Sequence, residues 1–382
     1  YEGIELPDHW NKMLEKVEPI ENGIPYFNNI HFTGITASNA KRAFNVSGNE
    51  VSSMEDFFLT DINIESEKGG TIKLANNWEV IDTTIKTSDN NPVKVMESEN
   101  VSIPFNKDIY MFSYFMGNGA DGLHFAYSND GLKWESLNNG QPILKPIIGK
   151  DSLMRDPSIV QDKNGVFHMV WTTGWWDQHI GYSSSKDLAN WSEQQIIPVM
   201  YHEPETKNSW APELFFDYEN DIFYIVWAST VPGKFPEIKT TESEEGLNHR
   251  QYYVTTKDFV TFSETKLFFD PGFSVIDAAI IKKDTLYWMI LKNENSAPPE
   301  KNLRVVFTDD LAKGFPINVS DNISGDQWAE GPSPIQIGEY VYVYFDKYRD
   351  KKYGAIRTID GKVWEDVSEQ IEFPNGTRHG TA

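Results

Sequence analysis

Residues 154–160 read Met154-Arg155-Asp156-Pro157-Ser158-Ile159-Val160, in which a lone carboxylate stands between an arginine and a proline and leads into an apolar run. The same layout recurs downstream. A strand that opens on an acidic residue is followed by an aromatic-rich strand and then by a Ser/Thr-x-Asp turn that ends in an aromatic residue. Such internal repetition indicates a fold assembled from similar strand units.

The turn of this unit occurs five times. Its copies are 128–134 (SNDGLKW), 185–191 (SKDLANW), 256–262 (TKDFVTF), 308–315 (TDDLAKGF) and 358–364 (TIDGKVW). The turn aspartates stand 57, 71, 52 and 50 residues apart, which suits propeller blades with loop insertions. Because Asp accepts hydrogen bonds from backbone amides in turns, each copy is predicted to end the third strand of a four-stranded blade. Residues 101–382 are therefore predicted to form a five-bladed β-propeller.

Composition limits the function. The 382 residues carry a net charge of -23, which argues against nucleic acid or an anionic membrane as a partner, because both need a basic face. No apolar run approaches the length of a membrane span. The chain has no Cys, which excludes disulfides, thiolate metal sites and Cys nucleophiles. A neutral or cationic ligand fits better, and the oligomeric state stays open.

Residues 1–100 have a different pattern. A helix with Asp8 as N-cap is predicted over residues 7–18. Residues 27–35, 54–62 and 77–85 then align as three versions of one strand unit, and superposing Ile35, Ile62 and Ile85 gives steps of 27 and 23 residues. Short strands at this period predict a parallel β-helix-like segment, with residues 88–100 as a polar linker. The overall fold class is all-β.

The segment from Pro25 to Thr87 resembles the C-terminal end of family 28 glycoside hydrolases, the polygalacturonases. The catalytic carboxylates of that family lie upstream of the matching part. The resemblance therefore implies a structure for this segment and no family 28 activity. An unrelated small β-domain is the alternative.

A titratable residue follows each turn aspartate of the propeller by 19 to 26 residues, at the start of an apolar strand. These residues are Asp156, Glu213, Asp277, Glu330 and His379. In a propeller the first strand of each blade is innermost, so the five side chains are predicted to converge on one mouth of the central channel. Acids gathered in one pocket perturb one another's pKa values and can divide acid and base roles, as in glycosidases.

The ordered motifs Arg-Asp-Pro-Ser, Trp-Ala-Pro-Glu, Ile-Asp-Ala, Glu-Gly-Pro and Arg-His-Gly resemble family 43 glycoside hydrolases, which include arabinofuranosidases, xylosidases and arabinanases. The resemblance covers roughly Ile103 to Ala382. It implies that Asp156 is the general base, that Glu330 is the general acid and that Asp277 orients the acid and adjusts its pKa. It also implies inversion at the anomeric carbon, which requires a base-to-acid separation of about 6.5–9.5 Å.

Substrate contacts can be predicted at the same mouth. The candidate residues are Glu213, Trp210, Trp175, Trp176, Arg155, Arg304 and Arg378. Flat indole rings offer apolar faces for sugar C–H groups, and the arginines offer donors for hydroxyls or a carboxylate. The C-terminal strand around His379 is predicted to supply the inner strand of the first blade and so to close the ring.

The resemblance also implies that His379 helps to hold a central cation or a water cluster. No cofactor is required for the chemistry, and one structural cation in the channel is compatible with it. A single His without an Asp-x-Asp loop does not by itself suggest a calcium site.

The predicted function is that of an inverting glycosidase that removes a terminal plant-polysaccharide sugar, most simply an α-L-arabinofuranoside or a β-xyloside. The joined polygalacturonase-like segment suggests a pectic substrate, and the expected location is extracellular or periplasmic. Two alternatives stay open, a non-catalytic carbohydrate-binding propeller and a family 32-like fructosidase, although the Asn-Asp-Pro-Asn and Glu-Cys motifs of family 32 are absent. A peptide-binding repeat scaffold is disfavoured, because it would not cluster carboxylates.

Overall fold

β-Strands provide nearly all the regular structure of the computed structural model, which describes residues 17–105, 109–241 and 246–382. The chain divides into two compact units, Tyr1–Asp108 and Ile109–Ala382, whereas the sequence placed the division after residue 100. The helix predicted over residues 7–18 lies almost entirely outside the described residues. Among the described residues, no helix is long and apolar enough to cross a membrane.

The first unit is a stack of parallel strands. It begins with a short 3₁₀ helix, Ile20–Gly23, and its strands are β1 (Phe27–Ser47), β2 (Met54–Lys73), β3 (Ala75–Asn76), β4 (Glu79–Thr87) and β5 (Lys94–Met96). Strand β1 pairs in parallel with β2, and β2 pairs in parallel with each of the three shorter strands. Successive segments of the chain therefore lie over one another, as in the predicted parallel β-helix-like segment.

The register confirms one predicted step and corrects the other. Ile35 lies opposite Ile62, which is the predicted step of 27 residues. The second step was wrong, because Ile62 lies opposite Thr83 and Ile85 lies opposite Ile64. A shift of two residues keeps each side chain on the same face of a strand. Since Ile62 and Ile64 are both buried, hydrophobicity could not distinguish the two registers.

Stacked side chains fill the interior of the first unit. Ile72 and Ile85 are fully buried, and the Phe57 ring stacks on Trp78 with 4.8 Å between the ring centroids. This separation equals the spacing of neighbouring strands, about 4.7–4.9 Å, so equivalent side chains pack directly over one another. The resemblance of this unit to family 28 stays a prediction.

The second unit is the predicted five-bladed propeller, with five separate antiparallel sheets. Blade 1 contains β6 (Tyr110–Tyr114), β7 (His124–Ser128) and β8 (Trp134–Ser136). Blade 2 contains β9 (Arg155–Gln161), β10 (Phe167–Thr172), β11 (Ile180–Ser185) and β12 (Gln195–Ile197). Blade 3 contains β13 (Trp210–Asp217), β14 (Ile222–Ser229), β15 (Arg250–Thr256) and β16 (Lys266–Phe269).

The remaining two blades differ in strand number. Blade 4 contains β17 (Val275–Lys283), β18 (Leu286–Asn293) and β19 (Asn302–Thr308). Blade 5 contains β20 (Glu330–Ile337), β21 (Tyr340–Lys347), β22 (Lys352–Thr358) and β23 (Glu365–Asp366). Within the described part of the propeller, short 3₁₀ helices lie outside the sheets at Asn138–Gly140, Leu311–Lys313 and Ser368–Gln370. Blade 4 thus has three strands where four were predicted. Apolar side chains from neighbouring blades pack together and form the core.

The repeated turn works as its sequence predicts. The Asp130 carboxylate accepts hydrogen bonds from the backbone amides of Leu132 and Lys133 at 2.8 and 2.9 Å. The aspartates of three further copies each accept two amides in the same way; they are Asp187, Asp258 and Asp360. In the remaining copy Asp310 accepts one amide, as the N-cap of a 3₁₀ helix. In blades 2 to 5 each turn follows the third strand, and in blade 1 it follows β7, which is third when the chain end that pairs with β6 is counted as the inner strand.

The chain end closes the ring. Ser113 of β6 and Thr381 exchange backbone hydrogen bonds of 2.8 and 2.9 Å, and the Arg378 amide donates to the Phe115 carbonyl at 3.0 Å. The C-terminal segment therefore lies along the inner strand position of blade 1, where the sequence analysis placed it. Gly380 permits this approach, because a Cβ there would overlap the Ser113 carbonyl oxygen.

Gly380→Ala is expected to destabilise the propeller by about 2 kcal/mol, because the added methyl forces the closing segment away from β6. Urea unfolding followed by tryptophan fluorescence measures the change. Gly338→Ala is the matched control. Gly338 has open space around it and a positive φ of 61°, so the alanine there is expected to cost only about 1 kcal/mol, from an unfavourable backbone conformation. Equal midpoints for Gly380→Ala and the wild type would show that the closure contributes nothing.

Candidate active site

One cavity of about 330 Å³ opens where the inner strands begin. Four of the five predicted titratable residues line it, and residues from blades 2 to 5 and from the chain end contribute. The lining residues are Arg155, Asp156, Thr172, Trp175, Trp210, Ala211, Leu247, His249, Ile276, Asp277, Lys292, Glu294, Glu330, Tyr348, Arg378 and His379. The convergence predicted from the repeat is present for Asp156, Asp277, Glu330 and His379.

Each of the four long inner strands carries a bulge at its start, and the acids stand at different places relative to it. Asp156 and Asp277 are themselves the bulged residues, with φ of 52° in both. Glu330 precedes its bulge, opposite Asp346, and Glu213 follows its bulge, opposite Val226. The acids thus occupy three registers rather than one. Bulges re-aim side chains next to active sites.

The register explains why Glu213 does not line the cavity. Its carboxylate accepts a hydrogen bond of 2.9 Å from Ser158 Oγ in the neighbouring blade, and the same hydroxyl accepts the Leu214 amide at 3.0 Å. Burial raises the pKa of Glu213 to about 7. Glu213 thus ties two neighbouring blades together, and its contact with the substrate stays a prediction that the lining of the cavity does not support.

Asp156 is held as a carboxylate. Its Oδ2 accepts a hydrogen bond from Thr172 Oγ1 at 2.8 Å, and its Oδ1 lies 3.3 Å from His379 Nδ1. Burial opposes ionisation, but the charges of His379 and Arg155 and the hydrogen bonds lower the pKa of Asp156 to about 2. A base ready to accept a proton at neutral pH must be ionised, and Asp156 meets that condition.

His379 carries positive charge into the centre of the site. Burial would lower its pKa, but the carboxylates of Asp277 and Asp156 raise it to about 9. Gly331 makes room for the ring, because a Cβ at that position would overlap the imidazole. The charged imidazolium thus stands beside the two buried carboxyls and compensates them.

The site around His379 has no cluster of metal ligands. Among the described residues, no three His, Asp or Glu side chains form a group that could hold a metal. A central cation or water cluster at His379 therefore stays a prediction.

Asp277 is set apart from Asp156 by its environment. Burial raises the pKa of Asp277 to about 6; His379 and Lys292 lower it in part, and Glu330 and Asp156 raise it further. Its Oδ2 accepts the Gly331 amide at 3.0 Å. Because this amide adjoins Glu330, the bond links the position of Asp277 to that of the predicted acid. Two carboxyls with separated pKa values are the pattern that divides acid and base roles.

Two cations contact Glu330. Lys292 Nζ lies 3.2 Å from Oε2, and Arg378 Nη2 lies 3.2 Å from Oε1. Lys292 is only 2% exposed and is also held by Glu294 at 2.7 Å, which in turn binds Lys301 at 2.6 Å. Buried charges persist only when they are paired. The network therefore fixes both Glu330 oxygens in place.

The predicted sugar contacts divide into two groups. Trp175, Trp210, Arg155 and Arg378 line the cavity. Trp210 Nε1 donates to the Trp175 carbonyl at 2.8 Å, and the Arg155 guanidinium lies 4.3 Å from the centre of the Trp175 ring. Trp175, Trp210 and Arg155 form an aromatic and cationic wall on the blade 2 and blade 3 side, whereas Arg378 lies on the blade 5 side beside Glu330.

The other group stays outside. Trp176 is 44% exposed and does not line the cavity, although its ring centroid lies 6.0 Å from that of Trp210. Arg304 was predicted to bind substrate, and this was wrong: it lies on β19 and donates to Asn302, the Ser320 carbonyl and Glu300 within blade 4. These contacts hold the Arg304 guanidinium within blade 4, and Arg304 does not line the cavity.

Sequence reasoning missed several lining residues, above all Lys292, Glu294, Tyr348 and His249. Lys292 was detectable, because it ends an apolar strand and pairs with Ile276 next to Asp277. The equivalent positions on the other second strands are Thr172, Ala228 and Asp346. A polar residue thus stands near the end of the second strand in three of these four blades. A search of the first strands alone could not find it.

His249 is an unusual member of the lining. It is 1% exposed, and neither ring nitrogen has a hydrogen-bond partner. Burial lowers its pKa to about 3, so the ring is neutral and offers one donor and one acceptor. Its ring centroid lies 5.1 Å from that of Trp210. The imidazole supports the aromatic wall of the cavity.

The stability of the propeller is expected to fall between pH 6.5 and about 9 because of His379. Its folded-state pKa is raised, so its contribution is complete below pH 6.5 and is lost as pH rises through about 9. His379→Gln should remove up to about 3 kcal/mol of this pH dependence, as measured by urea unfolding at pH 6.5 and 9.5. The exposed His202 provides the control, His202→Gln. Parallel pH profiles for wild type and His379→Gln would contradict the assigned charge.

Comparison with known proteins assigns the propeller part of the chain to a family. The family model described as "Probable glycosyl hydrolase domain", which is related to glycoside hydrolase family 43, matches residues 106–382. An α-L-arabinofuranosidase from Bifidobacterium longum subsp. longum is 24% identical over 185 residues, which are 44% of this chain and 17% of that protein.

Solved structures similar to the chain include two proteins from Bacillus species. The GH43 BlXynB protein from Bacillus licheniformis has 19% identity and a TM-score of 0.44, over 59% of this chain and 42% of its own. Xylan β-1,4-xylosidase from Bacillus halodurans C-125 has 17% identity and a TM-score of 0.45, over 61% and 43%. The chain thus spans less than half the length of each of these three relatives. Because the family model covers the whole propeller, the chain belongs to the glycosyl hydrolase domains related to family 43.

Proposed function

We propose that the propeller is an inverting O-glycosidase that cleaves a terminal sugar from a plant polysaccharide, an α-L-arabinofuranoside or a β-xyloside. One observation carries the proposal: Asp156, Asp277 and Glu330 come from three blades and line one open cavity. A carbohydrate-binding propeller without activity would not need three carboxyls held in such different environments. The Bifidobacterium longum relative, an arabinofuranosidase, supports the choice of sugar.

Asp156 acts as the general base in this proposal. Its pKa of about 2 keeps it ionised at any working pH, so it can orient a water and accept its proton as that water attacks the anomeric carbon. Thr172 and His379 hold the two oxygens in place. In family 32 fructosidases an Arg-Asp-Pro aspartate steadies the transition state instead, and the nucleophile motif which that mechanism needs is absent here.

Glu330 acts as the general acid and protonates the departing oxygen. Burial, together with repulsion from Glu330 and Asp156, raises the pKa of Asp277 to about 6, so this carboxyl can hold a proton beside the acid at mildly acidic pH. After the proton has moved to the leaving group, Lys292 and Arg378 stabilise the Glu330 carboxylate that remains. Asp277 positions the acid through the Gly331 amide and keeps the proton available.

The substrate is an oligosaccharide or polysaccharide in this proposal. Trp175 and Trp210 would face the sugar ring, while Arg155 and Arg378 would bind its hydroxyls. The predicted likeness of the first unit to polygalacturonases favours a pectic polymer, and such a polymer is met outside the cytoplasm, which supports an extracellular or periplasmic location. No cofactor takes part in the steps above.

Glu330→Ala is expected to lose at least about 1,000-fold in kcat/KM on substrates with poor leaving groups and much less on aryl glycosides with good ones, because a good leaving group needs little protonation. Asp156→Ala should lose similar activity on both kinds. Chromogenic arabinofuranosides and xylosides of graded leaving-group pKa provide the measurement. Equal losses for Glu330→Ala across the series would remove Glu330 from the acid role.

The first product formed is expected to have the anomeric configuration opposite to that of the substrate. A water activated by Asp156 attacks on the face away from the leaving group, and this requires room between the base and the acid. Proton NMR during the first minutes of hydrolysis distinguishes the two anomers before mutarotation. Retention of configuration would replace the base role of Asp156 with that of a nucleophile. A wild-type protein inactive on a broad glycan panel would favour the binding-module alternative.

A further inference from the structure

A second groove lies on the rim of the propeller beside the catalytic cavity. It has a volume of about 470 Å³ and is lined by Asp326, Gln327, Trp328, Arg349 and Asp350. The first three residues belong to the loop that leads into β20, and the other two follow β21. All five therefore come from two loops of the blade that carries Glu330, the one before β20 and the turn between β21 and β22.

One aromatic contact, between Trp328 of the groove and Tyr348 of the cavity, links the two. Tyr348 lines the catalytic cavity, and its ring centroid lies 6.0 Å from that of Trp328. The Arg349 guanidinium carbon lies 3.1 Å from the centre of the Trp328 ring. An aromatic and guanidinium surface thus runs outward from the cavity along blade 5.

The position of this surface relative to Glu330 indicates what it meets. Trp328 precedes Glu330 by two residues, and Tyr348 follows Asp346, the backbone partner of Glu330, by two residues. A general acid sits beside the oxygen that departs. Whatever is attached to that oxygen must therefore leave the cavity on the Glu330 side, whereas Trp175 and Trp210 stand across the cavity on the base side.

We propose that this groove binds the leaving-group side of a neutral glycan, so that the cleaved sugar is recognised together with at least one further sugar of the chain. The inference rests on the proposed function, because the acid role of Glu330 defines the direction. The cavity of about 330 Å³ is at the small end of ligand pockets, which are roughly 300–1,000 Å³, so a longer substrate has to extend beyond it.

The chemistry of the groove suits sugars rather than a charged polymer. An indole face packs against C–H groups, while the guanidinium, the Gln327 amide and the carboxylates of Asp326 and Asp350 offer donors and acceptors to hydroxyls. A polyanion would meet these two carboxylates and a net charge of -23. A neutral arabinan or xylan chain avoids that repulsion.

Trp328→Ala tests the proposal through selectivity. The ratio of kcat/KM on an oligosaccharide to kcat/KM on the matching aryl glycoside is expected to fall about tenfold, which corresponds to about 1.4 kcal/mol of lost leaving-group binding. The aryl group is too small to use the groove. Arg349→Ala changes an exposed side chain and should lower the same ratio several-fold without affecting folding. Tyr218→Ala, which alters an exposed aromatic residue at the opposite end of β13, should leave the ratio unchanged.

Two outcomes would overturn the proposal: equal losses on both substrates, which would mean that Trp328 only supports the Glu330 site, or an unchanged ratio in both variants. A separate binding experiment distinguishes this proposal from the proposal that the propeller is a hydrolase. Affinity electrophoresis in gels containing arabinan or xylan measures glycan binding whether or not hydrolysis occurs. Should the wild type bind but not hydrolyse, loss of binding in Trp328→Ala upholds the groove while the hydrolytic proposal fails. Binding that is absent in the wild type, or the same in both proteins, overturns the groove.

Discussion

The backbone pairing of the chain end with β6 is the constraint on which the propeller depends. Blade 1 has no inner strand of its own, so the hydrogen bonds between Ser113 and Thr381 complete it and join the two ends of the ring. The core of blade 1 also packs against blades 5 and 2, so the closing segment completes a ring of five mutually packed blades. The residue before Gly380 is His379, so the same few residues both close the ring and place a charge in its centre.

Charge compensation is the second constraint. The closed ring brings the carboxyls of Asp156, Asp277 and Glu330 into one poorly solvated cavity, where uncompensated carboxylates would be costly. Lys292 of β18 and the adjacent Arg378 and His379 of the C-terminal segment supply the opposite charge. The site is therefore stabilised as a set, and the pKa values of Asp156 and Asp277 separate because the cations are distributed unevenly. Carboxyls with separated pKa values are the arrangement that can divide acid and base roles.

The bulges at the start of the inner strands give the blades different functions although their strands are alike. A bulged residue with positive φ turns Asp156 and Asp277 toward the cavity, and a displacement of one or two residues sends Glu213 to Ser158 in the next blade instead. Polar residues at the ends of the second strands then complete the site, with Lys292 and Thr172 as the clearest cases. The repeat supplies the scaffold, and local irregularities in it assign the roles.

The sequence by itself determined the all-β class, the five blades, the turn aspartates and the convergence of Asp156, Asp277, Glu330 and His379. These follow from local patterns that repeat at a readable period. Tertiary structure alone decided the partner of Ile85, the position of Glu213 and the exclusion of Arg304, because register and distance from the channel are set by packing between blades. It also decided the charge of His379, since an imidazole becomes a stable cation only where folding has buried carboxylates beside it.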